Sequence, residues 1–147
     1  MMSLTNILRS LFAIILLAGA AGCDFGSSSP TAPDQSAVAY SQTDLTVGTG
    51  AEATPGTTAN VQYALWLYSE TGVDKKGTQI QQSQFSYVVG STSIIKGFDM
   101  GVIGMKVGGI RRIVVPPSLA YGATGNQDGT IKPNAALVFE IGLAGIQ

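Results

Sequence analysis

The sequence predicts an α+β domain: a mainly antiparallel sheet of four or five strands with one short helix. Three observations carry this. Alternating or β-branched apolar runs recur between residues 45 and 143. Only one stretch in that interval, 96–104, has helical apolar spacing. Gly- and Pro-containing turn signals separate the runs.

Residues 45–47 read as a short strand closed by Gly48 and Gly50, and Pro55-Gly56 as a turn. In 61–68, Val61, Tyr63, Leu65 and Leu67 share one face, which is the inward one. Residues 71–77 form a charged turn, and 85–89 a strand stopped at Gly90. In the helical stretch Phe98, Val102 and Met105 fall at i, i+4 and i+7. Gly97, Gly101 and Gly104 weaken it by about 1 kcal/mol each relative to Ala, so packing must hold it. Those glycines read either as loop or as points where another backbone comes close. Residues 110–115 are β-branched apart from Arg111 and Arg112, and Pro116-Pro117 ends that strand. In 136–143, Leu137, Phe139, Ile141 and Leu143 share a face.

Composition excludes several chemistries. With no His, Ser-His and Cys-His catalysis and His metal sites are impossible. One Cys permits neither an internal disulfide nor a Cys-rich zinc site. Eight basic against nine acidic residues, net −1, leave no footprint for nucleic acid. Glu70, Asp74, Asp99, Asp128 and Glu140 show no paired pattern and read as solvated surface charges. No metal and no cofactor is expected.

Residues 1–22 have the layout of a secretory signal. Arg9 supplies charge, 11–17 are apolar throughout, and 18–22 are small. The apolar stretch is too short to span about 30 Å of hydrocarbon. Ala20-Ala21-Gly22-Cys23 resembles a bacterial lipobox, in which cleavage before the Cys is coupled to acylation of its thiol. Three acyl chains on Cys23 would anchor the protein far more firmly than one. Asp24 resembles an inner-membrane retention signal of some Gram-negative bacteria. Residues 23–43, rich in Ser, Pro, Ala and Gly, read as a flexible tether, and 44–147 as the folded domain.

Four blocks within the domain carry a family resemblance. They are Ile94-Ile95-Lys96-Gly97-Phe98-Asp99, Gly104-Met105-Lys106-Val107-Gly108-Gly109, Leu119-Ala120-Tyr121-Gly122 and Ala136-Leu137-Val138-Phe139-Glu140. Together they resemble the FKBP family of peptidyl-prolyl cis/trans isomerases. The resemblance implies an antiparallel sheet of five or six strands wrapped around a short helix, with an apolar pocket between them. Its floor would be Phe98, where many relatives have Trp. Its walls would be Tyr63, Phe85, Ile94, Ile95, Tyr121, Ile131 and Phe139. The Ile95 N–H and the Tyr121 hydroxyl would donate to a bound carbonyl.

The chain departs from the family on the strand facing the helix. Ile80 replaces a Phe, and Gln81 replaces an Asp that interacts with tyrosine hydroxyls. The implied catalytic set is therefore Tyr63, Gln81, Phe85, Ile95, Phe98, Tyr121 and Phe139, with Ile80, Ile94 and Ile131 binding substrate. The expected function is prolyl isomerisation of unfolded or exported proline-containing polypeptides by a membrane-anchored monomer, facing the periplasm or cell exterior. Turnover is reduced or tuned by the two replacements, and macrolide ligands of the family bind less tightly. The alternative is a proline-binding module without useful turnover.

Acylation makes Cys23 decisive for location. A Cys23→Ser protein is expected to stay uncleaved or to leave the membrane fraction, as read by fractionation and mass. Processing and fractionation identical to the parent would reject the anchor.

Overall fold

The computed structural model describes residues 33–147. The expected signal over 1–22, Cys23 and the first part of the tether lie outside the described residues. Five strands form one antiparallel sheet: β1 (Ser41–Thr46), β2 (Thr58–Tyr68), β3 (Lys76–Val88), β4 (Ile110–Val115) and β5 (Leu137–Ile146). Their order is β1-β4-β5-β2-β3, so β1 and β3 are the edges. One helix, α1 (Lys96–Val102), packs against the concave face.

Alternation in β2 and β5 is what buries that face. Val61, Leu65, Leu137, Phe139, Ile141 and Leu143 are buried, and Tyr63 and Leu67 pack partly buried against them. From the helix side come Phe98 and Val102, buried as their spacing requires, and Met105, buried too but past the helix, which ends at Val102 rather than at Gly104 because the chain turns at Gly104, φ 78°. Burial of this kind is worth about 1.5–3 kcal/mol for each large apolar side chain.

Gly97 and Gly101 are points of close approach, chiefly to side chains, whereas Gly104 lies past the helix in a turn with φ +78° and open space around it. A Cβ on Gly97 would collide with the Val115 side chain. One on Gly101 would lie 2.9 Å from two carbons of Ile113. Both neighbours belong to β4, so the glycines let the helix sit down on that strand. The C-terminal end of α1 is held by Arg111, also of β4. Its Nη1 donates to the Gly101 carbonyl at 3.0 Å and the Ile103 carbonyl at 3.2 Å. Its Nε donates to Asp44 Oδ1 at 2.6 Å, which ties in β1 as well. The guanidinium thereby satisfies carbonyls that the helix leaves without partners and sets a cation at the negative end of its dipole.

Two strands extend well beyond their expected limits. β1 runs over Ser41–Thr46 rather than 45–47, and all six of its residues are exposed. It forms through backbone pairing with β4 and the Asp44–Arg111 ion pair, so it carries no apolar alternation. β3 begins at Lys76 rather than at 85, and its first half is polar because it lies at the sheet edge. The tether expected over 23–43 is not free along its whole length. Gln35 N–H donates to the Asn134 carbonyl at 3.1 Å, and its Nε2 to the Tyr68 carbonyl at 3.3 Å. Its Oε1 accepts from the Ala136 N–H at 2.8 Å. A single Gln side chain here does what a strand would do, bridging the end of β2 and the start of β5.

Glu140 and Asp74 are not merely solvated. Glu140 Oε1 lies 2.9 Å from Lys76 Nζ and 2.8 Å from Arg112 Nη2. Asp74 Oδ1 lies 2.9 Å from Arg112 Nη1. Partial burial alone would raise the Glu140 pKa. The hydrogen bonds and charges of Lys76 and Arg112 outweigh it and hold the group below its ordinary 4.5. A depressed carboxyl pKa stabilises the fold above the unfolded value, and that contribution is lost as pH falls through the folded one. Stability is therefore expected to decline as pH drops below 4.5, and Glu140→Gln should decline less steeply while being weaker at neutral pH. Urea midpoints at neutral and acid pH check this, and equal slopes for the two proteins would contradict it.

Candidate functional site

A cavity of about 500 Å³ opens between the sheet and the segment leading into α1. β2 contributes Tyr63 and Leu65, β3 contributes Gln81 and Phe85, and β5 contributes Phe139. Phe98 rises from α1, while Thr92, Ser93, Ile94 and Ile95 form the wall before it. Tyr121, 38% exposed, stands at the mouth, just after the Pro117–Leu119 turn.

The aromatic rings fix one another by edge-to-face packing. Phe98 meets Phe139 at 5.3 Å and 82°, and Tyr63 at 5.7 Å and 82°. Tyr63 in turn meets Phe85 at 5.7 Å and 86°. Such pairs add about 0.5–1.5 kcal/mol each beyond burial and hold the rings in one arrangement. No Asp, Glu, Lys or Arg is among the lining residues. Burial, and secondly the neighbouring Tyr121, push the Tyr63 phenol pKa above its ordinary 10.0. Tyr63 is therefore protonated throughout the physiological range and available as a donor. The cavity offers apolar area, hydroxyls and one side-chain amide, with no fixed charge.

Eight of the ten pocket residues named from the sequence line this cavity. Ile80 and Ile131 do not. Ile131 is 3% exposed and belongs to the core, with its backbone N–H held by Asn126 Oδ1 at 2.8 Å. Ile80 is the extra residue of a β-bulge: Leu65 pairs with Gln81 and Trp66 with Gln79. It packs against the core while Gln81 takes the rim position beside Tyr63.

Sequence reasoning also missed residues that belong to the site. Leu65, Thr92 and Ser93 are lining residues. Asp99, read as a solvated charge, accepts the Gly90 N–H at 2.9 Å and so ties down the start of the segment that forms the pocket wall. An acid in the first turn of a helix was the available signal. Burial, and secondly the Asp99 carboxylate, push the Tyr87 phenol pKa far above its ordinary 10.0. Asp99 acts on the buried Tyr87 hydroxyl mainly through its charge.

A sheet wrapped on one short helix leaves an aromatic cavity opening between them, with no charged residue in its lining. The family profile described as FKBP-type peptidyl-prolyl cis-trans isomerase matches residues 50–144. The chain belongs to that family. It is 40% identical over 100 residues to an FK506-binding protein of Neisseria meningitidis serogroup A, covering 68% of this chain and 89% of that protein. It is 39% identical over 104 residues to the 46 kDa FK506-binding nuclear protein of Spodoptera frugiperda, covering 71% of this chain and 24% of that protein. The chain spans between 20% and 46% of the length of that protein and three further eukaryotic relatives. Among solved structures, a peptidyl-prolyl isomerase from Pseudomonas syringae superposes with a TM-score of 0.61 at 31% identity, over 79% of this chain and 83% of that one. FkpA from Escherichia coli gives 0.61 at 26% identity, over 77% of this chain and 50% of that one.

Phe98 should be the costliest cavity side chain to remove. Phe98→Ala deletes the ring that joins helix to sheet and is expected to lose about 3–5 kcal/mol of stability. Urea unfolding reads this, and a loss below about 1 kcal/mol would show that the cluster does not hold the helix.

Proposed function

We propose that the protein is a prolyl cis/trans isomerase for proline-containing exported polypeptides, held at a membrane by lipid on Cys23. The observation that carries the catalytic part is the uncharged aromatic cavity formed by Tyr63, Phe85, Phe98 and Phe139. Export and anchoring rest on the sequence of residues 1–23.

The chemistry asks for no nucleophile, base or cofactor. Rotation about an X-Pro bond faces a barrier of about 18–20 kcal/mol because resonance keeps the amide planar. That resonance separates charge, and water stabilises the separation. In a cavity walled by aromatic rings the planar amide loses this help, whereas the twisted amide, with less charge separation, loses less. The Ile95 N–H and Tyr121 hydroxyl donate to a bound carbonyl and hold the peptide while the bond turns. Donors that fit the twisted form better than the planar one raise the rate itself. About 4 kcal/mol of such preference gives a thousandfold.

Gln81 favours a second, weaker-turnover reading. Its amide stands at the rim where the family has a carboxylate, so Tyr63 lacks a charge-assisted partner. On this reading the pocket retains proline-containing clients and family macrolides but turns them slowly.

One experiment tests both. Isomerisation of a short X-Pro peptide is measured for the wild type and for Gln81→Asp, with a family macrolide as inhibitor. Gln81→Asp is expected to raise kcat/KM by roughly threefold to thirtyfold, or about 0.7–2 kcal/mol. The macrolide is expected to inhibit, and more tightly in the variant. Wild-type binding without turnover would favour the retention reading, and neither binding nor turnover would reject the pocket.

A further inference from the structure

The edge of β3 is unguarded and adjoins the cavity. An antiparallel edge strand points every second N–H and C=O outward, where another chain can take them up. Native edges are usually shortened, charged or broken by proline. β1 follows that rule, with six residues and Asp44 engaged by Arg111. β3 does not. It has 13 residues, and from Gly77 to Val88 it contains no Asp, Glu, Lys, Arg or Pro. Its pairing with β2 is interrupted by the bulge at Ile80 and by a second register shift between Gln79 and Lys76, so from Gln81 to Val88 it runs without a break. No further strand of the described sheet lies beyond it.

The same strand carries Gln81 and Phe85 into the cavity on one face. On the other face Gln82 and Gln84 border a trough of about 890 Å³, lined by the small residues Ala64, Gly142 and Ala144 and also by Glu140. A chain lying beside β3 would run at about 4.8 Å from it, directly continuous with a peptide seated in the cavity. Proline cannot donate to a ladder and would be excluded from its interior. In the cavity it leaves the ladder, and the residues flanking it are free to pair.

We propose that β3 is an extended docking site for the client: the polypeptide flanking the bound X-Pro adds to the sheet as a sixth strand. The partner is an unfolded, uncharged segment in extended conformation, apolar on the side that follows the cavity and small or polar on the side above the trough. Affinity comes from main-chain pairing, so it is tolerant of client sequence, and alternate side chains supply selectivity. This rests on the reading of the cavity as a proline site.

The test compares a short X-Pro peptide that only fills the cavity with a longer one of alternating apolar and polar residues, lengthened by about six residues on one side. Two further versions of the long peptide carry N-methyl groups on one or the other alternate set of residues. The long peptide is expected to have a KM lower by about tenfold or more, the scale of one or two net hydrogen bonds, with kcat unchanged. N-methylation of one alternate set should abolish the gain and of the other should not. Hydrogen exchange should show new protection confined to β3 amides. Equal KM values for short and long peptides, or indifference to the methylated set, would overturn the proposal while leaving isomerisation of the short peptide intact. Conversely, if the short peptide is neither turned over nor bound, set-dependent protection of β3 by the long peptide would still support docking. A protein that sediments as a dimer with β3 amides protected in the absence of peptide would also overturn it, since a second copy then occupies the edge.

Discussion

The edge-to-face packing of Phe98 against Tyr63 and Phe139 is the contact on which the rest of the molecule depends. A helix of seven residues with two internal glycines has no stability of its own. It exists because its aromatic ring is taken up by the sheet and its glycines let β4 approach. Arg111 then fixes the far end of the helix, using carbonyls that would otherwise be unpaired. Fold and site are thus one structure. The ring that pins the helix is also a wall of the cavity, so the core cannot be repacked without reshaping the place where a ligand sits.

What was readable in the sequence follows what each element buries. β5 has Leu137, Phe139, Ile141 and Leu143 all buried on one face, and alternation exposed it plainly. β4 has Pro116-Pro117 to mark its end. By contrast β1 and the first half of β3 are held by backbone pairing at the sheet edges, where no side-chain pattern is required. Polar residues such as Gln79, Gln82 and Gln84 look like loop in a sequence and sit in a strand without conflict. The ion pairs were hidden for a different reason. Asp74 and Lys76, Arg112, and Glu140 come from three separate places in the chain, and only the register of the sheet gathers them.

The site shows the same division. Tyr63, Phe85, Phe98 and Phe139 could be placed by resemblance and by the inward faces together. Ile80 could not, because a bulge leaves it without a partner on β2, so it packs against the core while Gln81 keeps its place in the cavity lining. Ile131 illustrates a second limit. An apolar residue in a loop beside a pocket can serve the pocket or the core, and only the packed structure, in which Ile131 joins the core cluster and is absent from the cavity lining, separates the two. Asp99 was invisible as a site residue because it touches no ligand position. It acts through the backbone of Gly90, at the other end of the segment that walls the cavity.

The clasp formed by Gln35 changes the working radius of the domain. Had the chain been loose as far as residue 43, about twenty residues would separate position 23 from the fold, a leash of up to roughly 70 Å. Because Gln35 is fastened between Tyr68 and Ala136, only about a dozen residues remain, and the leash cannot exceed roughly 40 Å. The volume within reach scales with the cube of that length and so shrinks about fivefold. Any surface to which position 23 is fixed therefore meets the domain at a correspondingly higher local concentration, and the domain's search is confined to a thin layer above that surface.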